Sequence, residues 1–229
     1  MKKKIFYVLI ALLAVTFFSC APVAEIVISP QGDVTIDIAV QPSAHTETII
    51  QTIVGKDKAL FDATEITKNL KTENIQTTKL ETNAPATVNG KFYIPAHRVK
   101  ESSLFSIDIK AKTVTCNIHA ESVARLVDTF PEDVKEYLEL LVSPILTGDI
   151  MSASEYQELI ATAYGPKIAG ELDTAFFKVT LTCPGIVDSV KSEPEGRVHY
   201  FTGNSATITV PLSYMLSLEK PLLITVTYK

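Results

Sequence analysis

The sequence predicts an α+β fold, mainly antiparallel sheet with helices packed on one face. Three observations carry that class. Apolar residues alternate with period two in short runs bounded by Gly, Pro and Asp; runs with helical period stand in separate blocks between them; and the order lacks the strict strand–helix alternation of a parallel doubly wound sheet.

The first elements form a hairpin. Ala24 to Pro30 and Val34 to Val40 flank Gln31-Gly32-Asp33, a sequence suited to a tight reversal, and Val34, Ile36, Ile38 and Val40 alternate with Thr35, Asp37 and Ala39. One face of the second strand is therefore apolar. Ser43 after Pro42 fits a helix cap, with Ile49, Ile50, Ile53 and Val54 at helical spacing up to Gly55. A second helix is expected from near Asp62, where Ile66 and Leu70 lie one turn apart. Extended segments follow at Ile75 to Thr82 and Val88 to Ile94.

The second half repeats this order. Phe105, Ile107 and Ile109 alternate, Lys110-Ala111-Lys112 turns the chain, and Val114, Cys116 and Ile118 continue with every apolar position in phase with Val34, Ile36 and Ile38. Pro131 suits a first helical position, and Val134, Leu138, Leu141 and Ile145 form a stripe opposite Glu132, Lys135, Glu136 and Glu139. Ser152-Ala153-Ser154-Glu155 has the spacing of a capping box, and Tyr156, Leu159, Ile160 and Ala163 line one helix face up to Gly165-Pro166. Strands are then expected at Phe177 to Cys183, Val187 to Val190, Val198 to Phe201, Ala206 to Val210 and Leu222 to Tyr228, with a turn at Gly203-Asn204-Ser205. Both an internal duplication and a coincidence of common motifs account for the repeated order. The corresponding division is 20–100 and 104–229, joined around Pro95 to Ser103.

Residues 1–19 read differently from the rest. Lys2, Lys3 and Lys4 precede an uncharged segment from Ile5 to Phe18, 14 residues long, where a spanning helix needs about 20. It has the form of an export signal, not of a permanent anchor. Ser19 stands directly before Cys20, and here the chain resembles bacterial lipoproteins, although Phe17 and Phe18 depart from the commonest pattern around the modified cysteine. The resemblance implies cleavage after Ser19 and a diacylglycerol on Cys20, often with a further acyl chain such as palmitate on its new amino end. It also implies a location in the bacterial cell envelope, on the extracytoplasmic side of a membrane.

Charge and cysteine usage narrow the function. The signal holds three of the 21 basic residues and none of the 26 acidic ones, so the remainder carries 18 basic against 26 acidic residues, a net charge of about −8. A nucleic-acid partner is not expected. With Cys20 assigned to lipid, Cys116 and Cys183 remain as an even pair in an exported chain, both in phase with apolar neighbours. They form either a disulfide or two separate buried thiols.

Catalytic patterns are missing. His45, His97, His119 and His199 have no Asp, Glu or Cys at metal-ligand spacing, and no HExxH, G-x-S-x-G or P-loop occurs. Glu132, Asp133, Glu136 and Glu139 read as the wet side of an amphipathic helix. No enzyme activity, cofactor or metal is expected.

The carboxyl-terminal stretch has its own likeness. Leu181-Thr182-Cys183-Pro184-Gly185-Ile186-Val187, Gly203, the run from Val210-Pro211-Leu212 to Leu218, and Pro221-Leu222 to Tyr228 together resemble the small extracytoplasmic domain of mycobacterial LppM-type lipoproteins. That resemblance implies an amphiphile-binding cavity between sheet and helices; Val134, Leu138, Leu141, Tyr156, Leu159 and Ile160 would line it, or else form ordinary helix core, the commoner role of a stripe at helical spacing. Two functions are therefore expected to compete: a structural or interaction role for a membrane-anchored envelope lipoprotein, with an envelope protein as partner, and a binding module for a lipid, glycolipid or other apolar ligand.

Overall fold

The computed structural model describes residues 23–41, 47, 48, 51, 61, 63–72, 75–84, 86–99, 105–120, 143–194 and 198–229. Cys20, most of the helix expected after Ser43 and the helical stripe from Val134 to Leu141 lie outside the described residues.

The class is the expected one, an α+β fold whose two sheets are mostly antiparallel. β1 (Val23–Ile28) and β2 (Val34–Val40) form the first hairpin. Gly32, at φ +88, supplies the left-handed step that a side chain resists, and Gly32 N donates to Ser29 O at 2.9 Å. α1 (Ala63–Thr72), β3 (Gln76–Asn83), β4 (Thr87–Ile94) and the short α2 (Ala96–Val99) follow. β5 (Phe105–Asp108) and β6 (Thr113–Ile118) make the second hairpin, where Asp108 Oδ1 accepts from Lys110 N and Ala111 N at 2.9 and 2.8 Å. This side-chain cap fixes the turn expected at Lys110-Ala111-Lys112.

α3 (Ser143–Thr147), α4 (Ala153–Tyr164) and α5 (Pro166–Thr174) lead into β7 (Phe176–Thr182). β8 (Val187–Glu193), β9 (Val198–Thr202), β10 (Ser205–Pro211), α6 (Leu212–Ser217) and β11 (Leu222–Tyr228) complete the chain. The capping box at the start of α4 forms as expected: Glu155 N donates to Ser152 Oγ at 3.3 Å and Ser152 N donates to Glu155 Oε2 at 2.9 Å. Three helices were not expected. α2 falls in the stretch read as a joining segment. Pro166 does not only stop α4; it opens α5 at a first-turn position, where its missing N–H costs nothing. α6 is buried along its whole length and so shows no amphipathic period.

Seven strands form one sheet in the order β3-β4-β2-β1-β7-β10-β9, and four form a second in the order β5-β6-β11-β8. β1 is the middle strand of the larger sheet and the parallel partner of β7, Ala24 lying opposite Val179 and Ile26 opposite Leu181. That pairing joins the stretches 20–100 and 104–229. The two stretches build one sheet together, while the two similar hairpins part company, β1–β2 into the larger sheet and β5–β6 into the smaller. Long-range pairing of this kind leaves no local mark in the sequence.

The core lies between the sheets. Ala24, Ile26, Ile36, Ile38, Phe177, Leu181, Ile208 and Val210 are buried on the large sheet, and Phe105, Val114, Ile118, Leu222, Ile224 and Val226 on the small one. Alternation thus places one set from each strand inward, the other facing out as Thr35, Asp37, Thr180, Thr209, Thr225 and Thr227. The packing is that of a sandwich.

Candidate functional site

Two places could carry function: the interior between the sheets, and the end of the large sheet where β1 begins.

The interior holds an apolar cavity of about 50 Å³. Its wall is made of aliphatic and aromatic side chains from both sheets, among them Ile26, Ile38 and Phe177 from one and Val114, Cys116 and Ile224 from the other. This cavity separates sheet from sheet, and none of Tyr156, Leu159 or Ile160 lines it. Tyr156 and Ile160 are fully buried as helix core, and Val134, Leu138 and Leu141 lie outside the described residues. A pocket for a drug-sized ligand measures roughly 300–1,000 Å³, and an engineered cavity of about 150 Å³ is what benzene requires. The alternating apolar positions in β1, β2, β6, β7 and β11 were visible in the sequence, but which strands face each other depends on topology.

Cys116 and Cys183 are free thiols. Cys116 sits opposite Ile224 in the small sheet, whereas Cys183 directly follows β7 of the large one. Burial pushes the Cys116 thiol up to about 12 and the Cys183 thiol up to about 11. Thiols raised in this way are poor nucleophiles.

Among the described residues no group of three or more His, Cys, Asp and Glu side chains could hold a metal ion. His97 and His199 are exposed, and His119 is half-buried at the end of β6. The carboxylate of Glu155 is held below the usual range by its hydrogen bonds to the Ser152 side chain and backbone. That shift belongs to a helix cap and not to a reacting centre. Among the described residues no helix is long and apolar enough to cross a membrane.

The end of the large sheet is built from the first residues of β1 and β7 and the last of β10. Val23 lies opposite Lys178, and Phe176 opposite Pro211. The next residue, Leu212, opens α6, and its N–H donates to Ala175 O at 2.9 Å, so α5, β7, β10 and α6 meet at one place. Gln157 near the start of α4 donates to the carboxylate of Asp173 near the end of α5, which brings the first turn of α4 to the same end. Val23 is the third residue after Cys20.

No family model matches the chain, and no curated protein matches it. Among solved structures it is similar to the folded domain of LppM from Mycobacterium tuberculosis, determined by NMR. The match covers 93% of this chain and 92% of that one at 9% identity, with a TM-score of 0.36. A likeness at that level carries neither fold nor function across.

Proposed function

We propose that the protein is a lipid-anchored lipoprotein of the bacterial cell envelope, whose extracytoplasmic sandwich serves a structural or interaction role without catalysis. The observation that carries this is the position of Cys20. It ends an apolar run of signal length and stands three residues before the middle strand of the sheet. Acylation at Cys20 would supply two or three chains, each methylene contributing about 0.8 kcal/mol of membrane affinity, enough to hold the domain on a bilayer without a spanning helix. The raised thiols support a role that does not use cysteine chemistry.

The apolar lining of the cavity favours a second reading, a carrier or sensor of an apolar ligand. Its volume of about 50 Å³ weighs against an acyl chain, for which the sheets would have to separate.

Intact mass of the full chain recovered from the membrane fraction of a bacterial host tests the anchor. The expected mass is that of residues 20–229 plus a diacylglycerol, and Cys20→Ser should yield the unlipidated, uncleaved precursor. A mature chain cut elsewhere and free of acyl mass would overturn the anchor. Native mass spectrometry of the same material separates the two roles, since a retained lipid of defined mass would favour the carrier.

A further inference from the structure

The end of the sandwich where β1 starts carries exposed apolar side chains that packing does not explain. Phe176, first residue of β7, is 42% exposed, and Ile150, in the segment just before α4, is 84% exposed. Phe176 precedes by two residues the Lys178 that faces Val23, and Ile150 lies next to the α4 cap that the Gln157–Asp173 bond sets beside the end of α5. Both therefore belong to the end at which the chain arrives from Cys20. Three residues reach at most about 11 Å, so acyl chains on Cys20 would enter the bilayer within that distance of Val23. A leash this short leaves no room for the domain to stand off from the lipid.

From this we infer that Ile150 and Phe176 form a membrane-contacting rim, seated in the headgroup region beside the anchor, so that the sandwich rests on lipid through one defined end. This contact presupposes the acylated Cys20 proposed above. The side chains fit such a place, since large apolar residues such as these are what interfacial segments bury at shallow depth. Asp149, Asp173 and Lys178, all exposed at the same end, set the depth. Charged groups remain hydrated, which keeps insertion shallow.

The absence of tryptophan from the chain provides a clean test. The full chain would be purified from bacterial membranes as the single variants Ile150→Trp, Phe176→Trp and Ile186→Trp, checked for acyl mass, and reconstituted in phosphatidylcholine vesicles with or without brominated acyl chains. Ile186 is 65% exposed and lies beyond the far end of β7, about 20 Å along the strand from Phe176, so it controls for apolar exposure alone. Brominated lipid should cut the emission of the Ile150→Trp and Phe176→Trp proteins about twofold and leave the Ile186→Trp protein unchanged, as a shallow interfacial contact requires. If the acylated protein shows no quenching at 150 and 176, or equal quenching at all three sites, the rim faces water or another protein and the contact is refuted while the anchor stands. A chain lacking acyl mass would instead remove the anchor, and the seated contact with it.

Discussion

The ring of Phe92 lies against the backbone of Gly90, two residues earlier on the same face of β4, so closely that a Cβ at Gly90 would stand 2.5 Å from its Cζ. Gly90 pairs with Ile38 on one side and Leu80 on the other, and Phe92 is 1% exposed. The glycine thus makes room for the largest buried side chain of its strand. Gly90→Ala should destabilise by about 1–3 kcal/mol through overpacking. Adding Phe92→Leu should recover part of that loss in urea unfolding, and strictly additive losses would place the cause elsewhere.

The cavity between the sheets makes two substitutions move stability in opposite directions. Cys116→Val adds a methyl to the cavity wall and removes a thiol from an apolar site, and should stabilise by about 0.5–1 kcal/mol. Ile224→Ala, on the facing position of β11, enlarges the same space and should cost about 2–5 kcal/mol. Thermal and denaturant unfolding read both.

The thiols give stability a pH dependence at the alkaline end. Their ordinary value is about 9, and in the fold they rise to about 12 for Cys116 and about 11 for Cys183. Below pH about 8 both states hold the protons and nothing is lost. As pH climbs through about 9 the unfolded chain releases protons that the folded chain retains, so unfolding gains and stability falls. Cys116→Ala should remove part of that fall. Iodoacetamide at pH 8 should leave both thiols unmodified until urea is added, and a reducing agent should not shift the melting temperature.

The α4 cap predicts the opposite sign at acid pH. Hydrogen bonds from Ser152 favour the ionised Glu155 carboxylate, so this contribution is full above its ordinary value of about 4.5 and is lost as pH falls through the lower folded value. Ser152→Ala should cost about 1 kcal/mol near neutral pH. It should also speed amide exchange in the first turn of α4, and the variant should lose the acid dependence of that exchange.

What the sequence reveals follows the range of the forces that leave a trace in it. Turn chemistry is local, so Gln31-Gly32-Asp33, Lys110-Ala111-Lys112 and Gly203-Asn204 were each legible, as were the strands they join. The Ser152–Glu155 cap was legible for the same reason. α6 was not, because burial on all sides of Leu212 to Ser217 erases helical period. α5 was hidden by Pro166, a residue that ends one helix and begins another with equal ease. The β1–β7 pairing left no sign, since matching Ala24 with Val179 across more than 150 residues is a property of the closed sheet. The cavity followed the same rule: its wall was foreseeable strand by strand, its location was not.

Any pull on the chain ahead of Val23 enters the large sheet through its middle strand and runs along that strand's axis. β1 is held on one side by six paired positions of β2 and on the other by five of β7. Such a load acts in shear on both ladders at once, whereas an edge strand such as β3 or β9 would peel open bond by bond. Attachment at the centre of the sheet would therefore make a tethered domain mechanically resistant along the direction in which a membrane would tug it.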